Sequence, residues 1–464
     1  MTAGEKSERV ALAAIGTASV ILGWLAFGLV NQQIFLGALM LAAMLALIGI
    51  ATRARLKVWS PLLMWTAAFA LVLEGAWLAV GIYPIWVGGF VCVLAAGFTG
   101  ILAAMFATPR EPLALAPHAS KRLLRVFLGA GTILAAVLSG VMVTLSITTL
   151  PLAVLLQSST GNVNSFEPVA KTESKVVNGA LLTNDLQYGD QFPNSYLDIY
   201  IADNNPSVNR PTYVIVHGGG FLFGSKSSGD PNADGSFFAQ GTGPVMDAGY
   251  NVVAIDYALA PQVPYPAPVK QLGQAIDFLQ AHGEGYGLDM DRIVLAGGSA
   301  GGHIAAQYAN IQTNPAYADQ MGIAPTLEQG ALKGLVLDSA FLDPFRGSQT
   351  QTPQPLRDDL FALASRAYLG TDPDVLAEAN VISHVSAGFP PTFISDGNTG
   401  TFPDQAADLS GKLNELGVKN ILNLYPRSEA VLGHGFMAAA SPYTDDYNRQ
   451  KLAFLADILP QTRH

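Results

Sequence analysis

Leu295-Ala-Gly-Gly-Ser299-Ala-Gly-Gly-His303 follows the apolar run Ile293-Val-Leu-Ala296 and precedes the helix-like run Ile304-Ala-Ala-Gln-Tyr-Ala309. Strand, tight turn and helix around Gly297-x-Ser299-x-Gly301 form the context of a nucleophile elbow, in which a turn too sharp for flanking side chains pushes the serine Oγ outward. Ser299 is therefore the candidate nucleophile. Upstream, the β-branched run Val214-Ile-Val ends in His217-Gly-Gly-Gly220-Phe221. Bare glycines after a strand let backbone N–H groups approach a negative oxygen in a dry site. Gly218, Gly219 and the amide of Ala300 are the candidate oxyanion donors.

Outward from these two loops the pattern alternates. Strands are expected at Tyr196–Ala202, Thr212–His217, Asn251–Tyr257, Arg292–Ala296, Gly334–Asp338, Pro391–Ser395 and Asn420–Tyr425. Helices are expected near 236–248, 267–282, 302–313, 404–417 and 445–458, with a further one at Leu356–Leu369. Strands alternating with helices predict an α/β domain over 195–464, with a mostly parallel sheet covered by helices on both faces. Active sites in such sheets lie at the carboxyl ends of strands, where His217 and Ser299 fall. The longer piece from about 340 to 390 breaks the rhythm and is read as a possible cap.

The first third of the chain is a different body. Half of the 464 residues are hydrophobic and only 13% are charged, and the apolar excess is concentrated before residue 157. Residues 10–30, 34–52 and 126–157 carry no charge, and 58–107 carries only Glu74. Runs of 18 or more such residues are long enough to cross a bilayer as helices. Five spans are expected, at about 10–30, 34–52, 61–81, 85–107 and 126–150, forming an all-α transmembrane region over 1–157. Arg53, Arg55 and Lys57, and then Arg110, Lys121, Arg122 and Arg125, sit in alternate loops. That places the N-terminus in the cytoplasm and everything past residue 157 outside it.

Residues 158–194, polar at their start, are read as a tether and entry segment. Residues 1–157 hold 9 Lys+Arg against 4 Asp+Glu, and the remainder 16 against 31. So acidic a remainder is a poor partner for nucleic acid. The single cysteine, Cys92, lies inside the fourth expected span, so the outer domain can form no disulfide of its own. No His/Asp/Cys cluster has metal-ligand spacing, and neither a metal nor a cofactor is expected.

The oxyanion loop, the elbow and the element order resemble the α/β-hydrolase fold, within the hormone-sensitive-lipase-like esterases and near the feruloyl-esterase-like and kynurenine-formamidase-like groups. Asp256-Tyr-Ala-Leu-Ala-Pro261 with Tyr265-Pro266, Leu288-Asp-Met-Asp-Arg-Ile293, Pro390-Pro-Thr-Phe-Ile394 and Gly433-His-Gly-Phe436 carry the rest of the resemblance, which covers about 195–460. It implies a serine esterase with its acid and then its histidine downstream of the nucleophile, and His434 is the matching base.

The acid is where the sequence departs from the pattern. The family spacing Gly-x-x-Asp reads Gly397-Asn-Thr-Gly400 here. Asp396 and Asp404 are the carboxylates near enough to substitute, and absence of any acid is the third reading. Two functions follow. One is a membrane-anchored serine hydrolase that cleaves a small-molecule or lipid-derived acyl ester and holds the bilayer through its N-terminal helices. The other is a hydrolase-like binding or sensing module that has lost turnover because Gly400 replaces the acid.

Overall fold

The computed structural model of the chain describes residues 150–160, 166, 168, 172–229, 239–352 and 355–460. The five expected membrane spans lie outside the described residues, apart from the end of the last. Among the described residues no helix is long and apolar enough to cross a membrane.

The described strands are β1 (Ser174–Val177), β2 (Ala180–Gln187), β3 (Tyr196–Ile201), β4 (Arg210–Val216), β5 (Asn251–Ile255), β6 (Leu288–Gly298), β7 (Leu332–Asp338), β8 (Thr392–Ser395) and β9 (Asn420–Asn423). They form one sheet in the order β1-β2-β3-β5-β4-β6-β7-β8-β9. Pairing is antiparallel from β1 to β5 and parallel from β5 to β9. The described α-helices are α1 (Leu150–Thr160), α2 (Ala239–Asp247), α3 (Ala267–His282), α4 (Ala300–Thr313), α5 (Pro315–Met321), α6 (Pro355–Leu369), α7 (Pro373–Glu378), α8 (Val381–His384), α9 (Pro403–Glu415) and α10 (Pro442–Ile458).

The central strands read as unbroken apolar runs because both of their faces are covered. Tyr213, Ile215, Val252, Ala254, Val294, Ala296 and Val336 face one core, which Val245 of α2 and Tyr447, Phe454 and Leu455 of α10 complete. Val214, Val253, Leu295 and Leu335 alternate with them and are equally buried. On that side α4 packs against β4, β6 and β7, with α3 beside it.

Two strands appear that the apolar pattern does not give. β1 and β2 fall inside 158–194, in a stretch read as tether and entry segment, and pair as a hairpin across Asn178-Gly179. Both turn residues have positive φ, 47° and 86°, the conformation a two-residue hairpin turn needs. The Asn-Gly pair was the available signal. It was masked by the polar residues Thr183, Asn184 and Asp185 inside β2.

Adjacent β4 and β6 are in parallel register, with Val216 opposite Gly297. Their carboxyl ends therefore deliver His217-Gly218-Gly219 and Ser299 side by side. Sheet topology, not loop length, makes the two motifs neighbours.

Candidate active site

Ser299 stands between the end of β6 and α4 with φ 53° and ψ −116°, a conformation β-carbon-bearing residues rarely adopt. Its N–H donates to the Asp338 carbonyl at 2.8 Å, and its own carbonyl accepts from Phe341 N at 3.3 Å. The end of β7 and the loop after it thus hold the turn from both sides. A β-carbon at Gly301 would overlap the Val216 carbonyl oxygen, so the helix can come this close to β4 only with glycine there.

The oxyanion loop is pinned just as firmly. His217 Nδ1 donates to the Gly218 carbonyl at 2.7 Å, and the ring stacks on Tyr257 with centroids 4.1 Å apart. Tyr257 Oη in turn donates to the His217 carbonyl at 3.0 Å. Burial lowers the pKa of this imidazole to about 4, so it is neutral at physiological pH and serves as a fixed strut. Gly219, Gly220 and Phe221 then run with positive φ, and a β-carbon on Gly219 would overlap the Phe223 carbonyl oxygen. The N–H groups of Gly218, Gly219 and Ala300 donate to no backbone carbonyl among the described residues. They remain available to a ligand.

His434 lies in the loop before α10 and edges against Phe361 and Phe402, at centroid distances of 4.8 and 5.9 Å. Phe361 of α6 and Phe402 also wall a small apolar pocket beside Ser299, together with Phe221, Phe341 and Ala364. The two aromatic rings therefore touch His434 and line the same pocket as Ser299. Ser299 Oγ makes no hydrogen bond among the described residues, and catalytic hydrogen bonds often tighten only when substrate is present. Burial, and after it the Arg357 guanidinium, lowers the His434 pKa to about 3. At neutral pH the ring is uncharged and able to accept a proton.

The two acid candidates separate clearly. Asp404 Oδ2 is paired with Arg346 at 2.9 Å in the first turn of α9, and no hydrogen bond connects it with His434. Asp396 directly follows β8 and is fully buried. Its Oδ1 accepts from Thr401 Oγ1 at 2.6 Å and from Gly397 N at 2.7 Å, and its Oδ2 accepts from Phe402 N at 2.9 Å. Burial raises its pKa to about 6, against the pull of the Thr401, Ser339, Gly397 and Phe402 donors. Thr401 Oγ1 is also 2.9 Å from His434 Nδ1.

Asp396 thus stands one hydroxyl away from His434, and Gly400 is a turn residue with φ 59° whose N–H bonds the Gln351 carbonyl. Sequence reasoning missed Thr401, because nothing in its position beside Gly400 marks it. It missed Arg357 because that residue, forty-three positions before Gly400, comes near His434 only in the fold. Among the described residues no cluster of His, Cys, Asp or Glu has the geometry to hold a metal ion.

Residues 197–413 match the BD-FAE family model. Among curated proteins, the chain is 39% identical over 99 residues to Esterase LipI of Mycobacterium tuberculosis, covering 21% of this chain and 28% of that protein. It is 29% identical over 236 residues to Carboxylesterase NlhH of the same organism, covering 49% of this chain and 67% of that one. The chain thus spans only part of the length of these relatives. Among solved structures, Esterase B from Lactobacillus Rhamnosis superposes with a TM-score of 0.51 at 21% identity, over 62% of this chain and 88% of that chain. Residues 197–413 are thus similar to the BD-FAE family and the chain to these esterases, and the superposition shows the α/β-hydrolase fold.

Proposed function

We propose that this α/β-hydrolase domain is a carboxylic ester hydrolase working through Ser299 and His434. Ser299 Oγ attacks the ester carbonyl, His434 takes and returns the proton, and Gly218, Gly219 and Ala300 receive the oxyanion. Water then releases the acyl group. The observation that carries this reading is a strained serine lining an apolar pocket, with unspent backbone N–H groups on the two glycine-rich loops and a neutral imidazole packed on two of the pocket's phenyl rings.

Four phenyl rings around Ser299 favour a small acyl group over a long chain. The test is reaction of the full chain with two fluorophosphonates, one carrying a methyl group and one an octyl group. Ser299 should be the residue modified, the methyl reagent should react at least several-fold faster, and Phe361→Ala should narrow the difference. Modification undiminished in Ser299→Ala removes the assignment of the nucleophile.

A binding module without turnover, the second reading of Gly400, is disfavoured by the polar connection that still reaches His434 Nδ1. Membrane anchoring belongs to the same proposal and rests on the uncharged runs before residue 157 and the alternation of basic loops. A reporter fused after residue 160 should be active only outside the cytoplasm, and one placed in the 108–122 loop only inside. Both reporters on one side would overturn the five-span topology.

A further inference from the structure

We propose that Thr401 is the positioning residue that couples Asp396 to His434, so that the acid of this site acts through a hydroxyl and not on the imidazole itself. The inference rests on the serine-hydrolase reading above and deepens it. A hydroxyl has one proton to donate. Asp396 Oδ1, at 2.6 Å, takes that proton in its hydrogen bond, so toward His434 Nδ1, at 2.9 Å, Thr401 Oγ1 can only accept. Nδ1 must then carry the imidazole proton, which leaves the lone pair on Nε2 as the base. The chain carboxylate, hydroxyl, imidazole fixes the tautomer as a directly bonded carboxylate would.

Asp396 is itself held. Gly397 N and Phe402 N donate to its two oxygens, so the carboxylate cannot swing away from Thr401 without losing both. The far side of the loop is tied down where Gly435 N donates to Ser339 Oγ at 3.1 Å. Base and hydroxyl therefore keep their separation.

The proton count closes. As the Ser299 Oγ–carbon bond forms, the serine proton moves to His434 Nε2 and the carbonyl π pair becomes the oxyanion. When the intermediate collapses, the carbon–oxygen bond to the alcohol breaks and the Nε2 proton goes to the leaving oxygen. Water repeats both steps on the acyl-enzyme. The Nδ1 proton stays on His434 and the hydroxyl proton on Thr401, so their hydrogen bonds strengthen as positive charge develops without any transfer along the chain.

The test compares Thr401→Val, Thr401→Ser and Asp396→Asn in the full chain on p-nitrophenyl acetate, with Tm measured alongside. Thr401→Val keeps the shape and removes the hydroxyl, and should lower kcat by roughly 10- to 1000-fold, within the loss reported for an acid that fixes the tautomer, with KM within a few-fold of the parent. Thr401→Ser should restore most of the rate. Asp396→Asn lets an amide donate to Thr401, turning the hydroxyl proton toward Nδ1 and favouring the wrong tautomer, and should fall as far as Thr401→Val. Parental kcat in Thr401→Val, or equal losses in Thr401→Val and Thr401→Ser, overturns the coupling while Ser299 labelling still stands. If Thr401→Val does not fold, a loss of kcat of roughly 10- to 1000-fold in Asp396→Asn beside a near-parental Thr401→Ser supports the coupling, and parental kcat in Asp396→Asn overturns it. Loss of Ser299 dependence in the parent would instead strike the hydrolase reading.

Discussion

Ser299→Ala is expected to lower hydrolysis of a p-nitrophenyl ester by a factor on the order of 10⁴ or more, and His434→Ala by a similar factor, the range found when a member of a serine–histidine pair is removed. The two losses should not add. Once the nucleophile is gone a base has no proton to accept, so the double variant should match either single one. Folding should survive both changes. Ser299 is held through its backbone N–H and carbonyl, which alanine keeps, and His434 is a half-buried loop residue that meets the core by ring contacts to Phe361 and Phe402. Steady-state rates with circular dichroism on the same samples decide the matter. Activity that persists in Ser299→Ala at parental level ends the proposal.

Gly219→Ala should be the next most damaging change, lowering the rate by roughly 10²- to 10³-fold, as removal of an oxyanion donor does. The added methyl would stand against the Phe223 carbonyl at a φ of 108°, which alanine also disfavours. The peptide has to rotate or the loop has to withdraw, and either takes the N–H away from the oxyanion position. His217 and Tyr257 hold the base of the loop, so the displacement should stay local and Tm should fall by only a few degrees. The decisive comparison is the rate of Ser299 labelling by methyl fluorophosphonate. A rate equal to the parent's would mean that the oxyanion is held elsewhere.

Both loops were legible in the sequence because each depends on backbone that only glycine can supply at a strand end, and such demands leave their mark letter by letter. The central strands were legible from their β-branched runs, and α3 begins and ends where its apolar spacing places it, at Ala267 and His282. The acid was not legible. Alignment of a motif compares positions along the chain, and at Gly400 it finds no carboxylate. The proposed coupling runs across space, from Asp396 through the hydroxyl of Thr401, five residues on, to a ring thirty-three residues further. Asp404 was as good a candidate on the page. Only its pairing with Arg346 sets it aside.

The backbone of Ser299 carries a further consequence. A side-chain-bearing residue at φ 53° and ψ −116° holds on the order of 1–3 kcal/mol of conformational strain, and the contacts from β7 and Phe341 keep it from relaxing. Position 299 is thus a place where thermodynamic optimum and chemical competence diverge. Selection for robustness alone would favour glycine there, so a serine kept at this cost is what the proposed nucleophile role would demand.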